Sequence, residues 1–147
     1  MKKILRYALV LALALPFVCT NAQETTSKKG YVMYGVAFYN LENLFDTINT
    51  NGTYDLEFSP NGARQWNHQK YWQKQHNMAY AISQMATKAT PNGPAIIGVS
   101  EIENISVLKD LVKQPEIKSW RLQIVHHDSP DRRGVDVGLL YNPRLFK

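Results

Sequence analysis

Ala95-Ile-Ile-Gly-Val-Ser-Glu101-Ile-Glu103-Asn104 reads as a short buried strand whose C-terminal end carries carboxylates and an amide. Thr90-Pro-Asn-Gly-Pro94 ahead of it is turn chemistry, so the apolar run starts cleanly. Earlier in the chain Val36-Ala-Phe-Tyr-Asn40 ends in the same manner, in Leu-Glu42-Asn43-Leu-Phe-Asp46. A hard divalent cation takes carboxylate and amide oxygens, and Mg²⁺ usually binds only one or two protein carboxylates. Two neighbouring strand ends presenting Asn40, Glu42 and Glu101 to one rim would suit such an ion.

The rest of the chain supplies what two such strands need. Tyr31 to Asn40 is rich in Tyr, Val and Phe, and its apolar character at nearly every position predicts a strand buried on both faces. Asn67 or His68 to about Ala86 predicts a helix. Tyr71, Trp72, Met78, Ala79, Ile82, Met85 and Ala86 share one side, with Gln75 interrupting the stripe. Ile105, Leu108, Leu111 and Val112 mark a second helix, capped by Asn104 and stopped before Pro115. Trp120 to His126 and Val135 to Tyr141 read as an antiparallel pair around the polar turn at 127–134, too long for a two-residue hairpin loop. Strand, helix, strand, helix, strand, strand predicts an α/β fold in which helices cover a mixed sheet. The last strand is followed only by Asn142-Pro-Arg-Leu-Phe-Lys147, which predicts an apolar strand at the sheet edge, an arrangement folded proteins avoid.

The N-terminus reads as targeting rather than fold. Lys2, Lys3 and Arg6 precede an apolar stretch from Tyr7 to Val18. As a helix that stretch is roughly 18 Å long, against a bilayer core of about 30 Å, so it is a signal segment and not a stable membrane span. Thr20-Asn21-Ala22 places cleavage after Ala22, giving a signal peptide at 1–22 and a polar, disordered leader at 23–30. Bulky Pro16-Phe17-Val18 argues against lipid attachment at Cys19, leaving export to the periplasm or the medium. Three of the seventeen basic residues leave with the signal, so 14 basic residues face 12 acidic ones, too mild a balance to imply nucleic acid by charge alone. The single cysteine leaves too, so the mature chain has no disulfide to lean on.

Each motif has a plainer reading. Asn40 and Asn43 are residues that satisfy turn backbone groups. Glu101 and Glu103 lie near a helix start, where the helix dipole favours solvated carboxylates. His126 and His127 are adjacent in a strand and so point to opposite faces, which predicts one packed or hydrogen-bonded and one solvated. His68 and His76 are solvated helix positions without metal-ligand spacing. Arg132 or Arg133 could clamp a phosphate through its planar fork, or simply pair with Asp128, Asp131 or Asp136. The sequence has no phosphate-binding glycine loop of the Walker kind, no Gly-x-Ser-x-Gly elbow and no paired-cysteine zinc motif.

Taken together, Phe38-Tyr-Asn40-Leu-Glu42-Asn43-Leu-Phe-Asp46, Ile97-Gly-Val-Ser-Glu101-Ile-Glu-Asn104 and His126-His-Asp-Ser-Pro-Asp-Arg-Arg-Gly-Val-Asp136-Val-Gly-Leu-Leu-Tyr141 resemble the endonuclease/exonuclease/phosphatase superfamily, the fold of DNase I, and most closely its secreted bacterial members. The resemblance implies a two-layer α/β sandwich with a metal site at one rim and hydrolysis of phosphate esters, nucleic acid among the substrates. It implies Mg²⁺ or Mn²⁺ on Glu101 with Glu42 nearby, Asn40 at the scissile phosphate, and Arg133 and Asp136 in a signature that touches substrate or shapes the turn. It further implies that 31–147 is the N-terminal half of the domain, because the histidine–aspartate pair that activates water and the Asp-x-Asn motif belong to the family's second half and neither is found here. General acid–base catalysis typically contributes about 10²–10⁴-fold, so the chain alone should turn over little. A non-catalytic exported remnant or binding module is the other reading.

Overall fold

The computed structural model describes residues 30–48 and 56–146. The signal peptide at 1–22, and the leader at 23–30 apart from Gly30, lie outside these residues. Four strands form one mixed sheet: β1 (Val36–Leu44), β2 (Ile96–Ile102), β3 (Gln123–His127) and β4 (Asp136–Tyr141), in the order β1-β2-β4-β3. Among the described residues, the helices α1 (His68–Ser83) and α2 (Ile105–Leu111) accompany the sheet, with 3-10 turns at Leu56–Phe58 and Lys118–Trp120. This mixed sheet with its helices is the partial two-layer α/β arrangement of the DNase I type.

β1 and β2 run parallel, with α1 in the connection between them, and β4 pairs antiparallel with both β2 and β3. The hairpin of β3 and β4 is the one expected. Its position is not: β4 is an interior strand and the edges are β1 and β3, because β4 crosses back to pair with β2. The last strand is therefore hydrogen-bonded on both sides.

Strand register explains the burial. Ala37, Ile97, Leu140 and Ile124 align on one face, and Phe38, Gly98, Leu139 and Val125 on the other. The first face lies under the helices. Ile97 and Leu140 join Ile82, Val107, Leu108 and Leu111 in one core. Gly138 leaves room for α2, since a Cβ there would fall 2.8 Å from Leu108 Cδ1 and 3.2 Å from Val99 Cγ2. The second face is open: Val36 is 77% and Phe38 70% exposed, and Val125 and Val137 are also exposed. Burial of the first strand on both faces is thus not observed. Its apolar character reflects one covered face and one bare one. The strand also begins later than its composition suggested, at Val36, with Tyr31–Tyr34 exposed and outside any strand.

Both helices follow their caps. Asn67 accepts a hydrogen bond from Lys70 N at the start of α1, and Asn104 accepts from Ser106 N and Val107 N at the start of α2. α1 ends at Ser83, short of Ala86. Its buried stripe is Tyr71, Gln75, Ala79 and Ile82, with Trp72 turned outward against His68. Gln75 thus belongs to the stripe. It is 0% exposed, and its Nε2 donates to Tyr71 Oη (2.9 Å) and Val107 O (3.0 Å), tying α1 to α2. Tyr71 Oη in turn donates to Asp110 Oδ2 at 2.8 Å.

Burial, and then the hydrogen bond to Asp110, push the Tyr71 phenol well above its ordinary value. An unfolded tyrosine ionises near about pH 10. The folded chain keeps the proton past that point, so this stabilisation is complete below about pH 10 and is lost as pH rises toward the folded value. Tyr71→Phe should cost about 1.5–3 kcal/mol at neutral pH through the lost hydrogen bonds to the Asp110 carboxylate and from Gln75. The gap between wild type and variant should then narrow above about pH 10, read from urea midpoints between neutral and strongly alkaline pH.

Candidate active site at the C-terminal rim of the parallel strands

Parallel pairing brings the C-terminal ends of β1 and β2 to one edge of the sheet. Asn40 lies opposite Ser100, and Ser100 opposite Val137 at the start of β4. Asn40, Glu42, Glu101 and the turn before β4 therefore share that edge, as the sequence motifs required.

Both strands break register there. The β1–β2 ladder shifts between Asn40 and Leu44, and the β2–β4 ladder shifts between Ser100 and Ile102. Glu42, Asn43 and Glu101 adopt left-handed backbone with φ of 51°, 58° and 57°. Side chains other than glycine rarely adopt this conformation, and such residues gather at functional sites. The irregularity lets a strand re-aim a side chain that simple alternation would send to the covered face. Glu101 is half-buried and its Oε1 lies 3.5 Å from Arg133 Nη1.

A set of buried and half-buried polar groups holds this edge. Asn40 Oδ1 accepts a hydrogen bond from Glu42 N at 2.7 Å, the turn-satisfying role open to an asparagine. Lys74, reaching from α1, donates to the carbonyls of Glu42 and Asn43. Burial lowers its pKa, and Glu42 and Glu101 oppose that shift, so the ammonium lies within the field of both carboxylates. Glu103 is only 4% exposed and accepts from Asp46 N at 2.7 Å. Asp46 Oδ2 accepts from Asn104 Nδ2 at 3.0 Å. The exits of β1 and β2 are thereby tied together. Glu103 is not the solvated carboxylate its position suggested, because the chain folds Phe45 and Asp46 over it.

Arg133 brings a second cation to the rim. Its Nη2 donates to Asp131 Oδ2 at 2.9 Å and its Nε to Asp131 Oδ1 at 3.2 Å. Those hydrogen bonds hold the Asp131 carboxyl below its ordinary range and raise Arg133 in return. The local-pairing reading of this arginine is therefore realised on one side of the guanidinium, while the other side faces Glu101. Asp136 organises the turn beneath: Oδ1 accepts from Ser129 N (2.8 Å), and Oδ2 lies 3.0 Å from His126 Nε2. Ser129 Oγ donates to Val135 O at 2.7 Å and accepts from Asp131 N at 3.0 Å. His126 is the hydrogen-bonded histidine of its pair and His127 the exposed one, as strand alternation required.

Two sets of side chains carry donor atoms of the kind a metal ion takes. At the rim, Glu42 and Glu101 offer carboxylate oxygens and Asn40 an amide, the all-oxygen chemistry of a hard divalent cation. Among the described residues, His126, Asp128 and Asp136 form a second group whose ligand atoms lie within 4.8 Å of one another. There the two carboxylates address different ring nitrogens, Asp136 at Nε2 (3.0 Å) and Asp128 at Nδ1 (3.6 Å). One ligand atom from each of the three residues is close enough to the others for a single ion, so the group is a candidate metal site as well as a brace of the turn. Strand alternation pointed to a bonded histidine here, but the Asp46–Glu103–Asn104 tie and the Lys74 anchor had no periodic signal in the sequence.

The model of the Endonuclease/Exonuclease/phosphatase family matches residues 35–147. The chain belongs to that family. Neither the curated proteins nor the solved structures hold a match to it. Membership carries phosphoester hydrolysis as the family's general chemistry, with divalent-metal dependence typical, and the matched span contains every rim residue described above. Among the described residues, no helix is long and apolar enough to cross a membrane.

Glu103→Ala would leave Asp46 N without its acceptor in a half-buried place and should cost about 1–3 kcal/mol. Glu103→Gln keeps an acceptor oxygen and should retain most of that stability. Urea denaturation of the two variants measures the difference.

Proposed function

We propose that the rim is the metal and phosphoryl site of a phosphoester hydrolase, with Glu101 and Glu42 as ligands of Mg²⁺ or Mn²⁺ and with Asn40 and Arg133 as contacts to the phosphoryl oxygens. The observation that carries this reading is the convergence of Glu101 and Arg133, 3.5 Å apart, at the edge where the C-terminal part of β1 carries Asn40 and Glu42. A bound divalent ion supplies Lewis acidity toward a phosphoryl oxygen. Asn40 has its carbonyl oxygen occupied by Glu42 N, so its amide NH₂ is the group turned to an incoming oxygen. Arg133, anchored through Nε and Nη2 to Asp131, keeps Nη1 toward Glu101 and offers it to the negative charge that grows on the phosphoryl group. Preorientation of this kind makes the donors effective, since they need not reorganise as charge develops.

Water activation is the weak element of the site. The described histidine–aspartate pair, His126 and Asp136, is committed to the turn, so turnover by this chain alone is low. Export belongs to the same reading, resting on Lys2, Lys3 and Arg6 ahead of the apolar stretch at 7–18. Phosphate esters, nucleic acid included, are the substrate class.

Mn²⁺ titration of the 147-residue chain, followed by paramagnetic broadening of amide resonances, tests the metal assignment. Asn40, Glu42 and Glu101 should broaden first. Glu101→Gln should weaken binding by about tenfold or more, since even a supporting group around a metal is worth about 10–100-fold. Preferential broadening at His126, Asp128 and Asp136, or an unchanged affinity in Glu101→Gln, would contradict it. A chain that binds neither Mn²⁺ nor phosphate esters would favour the non-catalytic module.

A further inference from the structure

Beside the rim lies a cleft of about 460 Å³ that shares Glu42 as a wall and is otherwise lined by Phe58, Arg64, Trp66, Lys70 and Lys74, together with Asn43. Three of these side chains are cations, and the way they are held decides what the cleft can do. Lys70 Nζ donates to Arg64 O at 2.7 Å, and Lys74 Nζ donates to the carbonyls of Glu42 and Asn43. Backbone carbonyls fix the position of an ammonium without cancelling its charge, and each ammonium has three protons to give. The Arg64 guanidinium lies over the Phe58 ring, 4.8 Å from its centroid, and Lys74 Nζ lies 5.7 Å from the centroid of Trp66. Arg64 meets one carboxylate, Glu57, at 3.6 Å, and both groups are at least half exposed, a pairing of small worth. The cleft is thus preorganised and carries three cations against the carboxylates of Glu42 in its wall and Glu57 at its margin, which leaves an excess of positive charge.

The rings set the limit on what is recognised. Phe58 and Trp66 are each only 9% exposed, Phe58 is stacked on Phe45 at 4.5 Å, and Trp66 Nε1 donates to Phe45 O at 3.0 Å. They brace the cations from below and present no open face on which a base could stack. The ligand is therefore recognised by negative charge.

We propose that this cleft binds a second phosphoryl group of the substrate, held by Arg64, Lys70 and Lys74 across Glu42 from the phosphoryl group at Glu101. The inference rests on the phosphoesterase reading and narrows it, because the preferred substrate then carries at least two phosphoryl groups. A neighbouring phosphate of a polynucleotide strand and the second phosphate of a small bis-phosphorylated ester share that chemistry.

Calorimetric titration of the 147-residue chain with Mg²⁺ tests this, using thymidine 5′-monophosphate, 5′-phosphorylated dithymidylate and fructose 1,6-bisphosphate. One of the two bis-phosphorylated probes should bind about tenfold or more tighter than the monophosphate, the scale of one charge-assisted hydrogen bond. Whichever wins identifies the source of the second phosphate. In Arg64→Gln/Lys70→Gln that ratio should collapse to within about twofold, and Lys70→Glu, at an exposed position, should collapse it as well. A wild-type ratio near one, or a ratio unchanged in both variants, overturns the proposal. Failure of the rim is separable: if Glu101→Gln leaves Mn²⁺ affinity intact while the ratio still collapses in the double variant, the metal assignment falls and the anion cleft stands.

Discussion

The structure depends on the parallel pairing of β1 with β2, carried past Asn40 and Ser100 into a register break on both strands. Parallel strands end on the same side, so chemistry at two separate sequence positions meets at one edge. Had β2 run the other way, Glu101 would lie at the opposite end of the sheet from Asn40, and no motif could rescue the site. The connection through α1 makes this direction the natural one, since parallel neighbours need a crossover long enough to return to the same end. The strand of opposite sense, β4, then brings its leading turn to the same place, and with it Arg133.

Three polar groups hold the edge in shape. Glu103 ties the exit of β1 to that of β2 through Asp46 N. Lys74 pins the left-handed carbonyls of Glu42 and Asn43 from the side of α1. Asp136 fixes the turn that carries Arg133 by gripping Ser129 N and facing His126. Buried polar groups are costly unless satisfied, and satisfied ones specify a single arrangement. Here that specificity maintains the positive φ values of Glu42, Asn43 and Glu101. The charge pattern follows: carboxylates at the centre of the rim, with Lys74 and Arg133 on its two flanks.

Much of this was legible beforehand, because periodicity and turn chemistry are local. Asn104 announced the start of α2, Thr90–Pro94 the turn before β2, and the runs before Asn40 and Glu101 their strands. What was not legible depended on which faces meet. The apolar run at 36–39 signals a strand but cannot say whether both faces are covered, and Val36 and Phe38 are exposed. Gln75 looked like a break in an apolar stripe until α2 supplied Val107 O as its acceptor. Glu103 looked like a helix-start carboxylate until Asp46, from a distant segment, gave it a buried partner. The position of β4 inside the sheet was equally invisible, since pairing order is set by three-dimensional closure.

Anomalous diffraction from a crystal of the chain soaked in Mn²⁺ tests the central claim most directly. The expected map places a Mn²⁺ peak within bonding distance of a Glu101 carboxylate oxygen, at the rim shared with Asn40 and Arg133. A peak confined to the His126, Asp128 and Asp136 group, with none at Glu101, would contradict it.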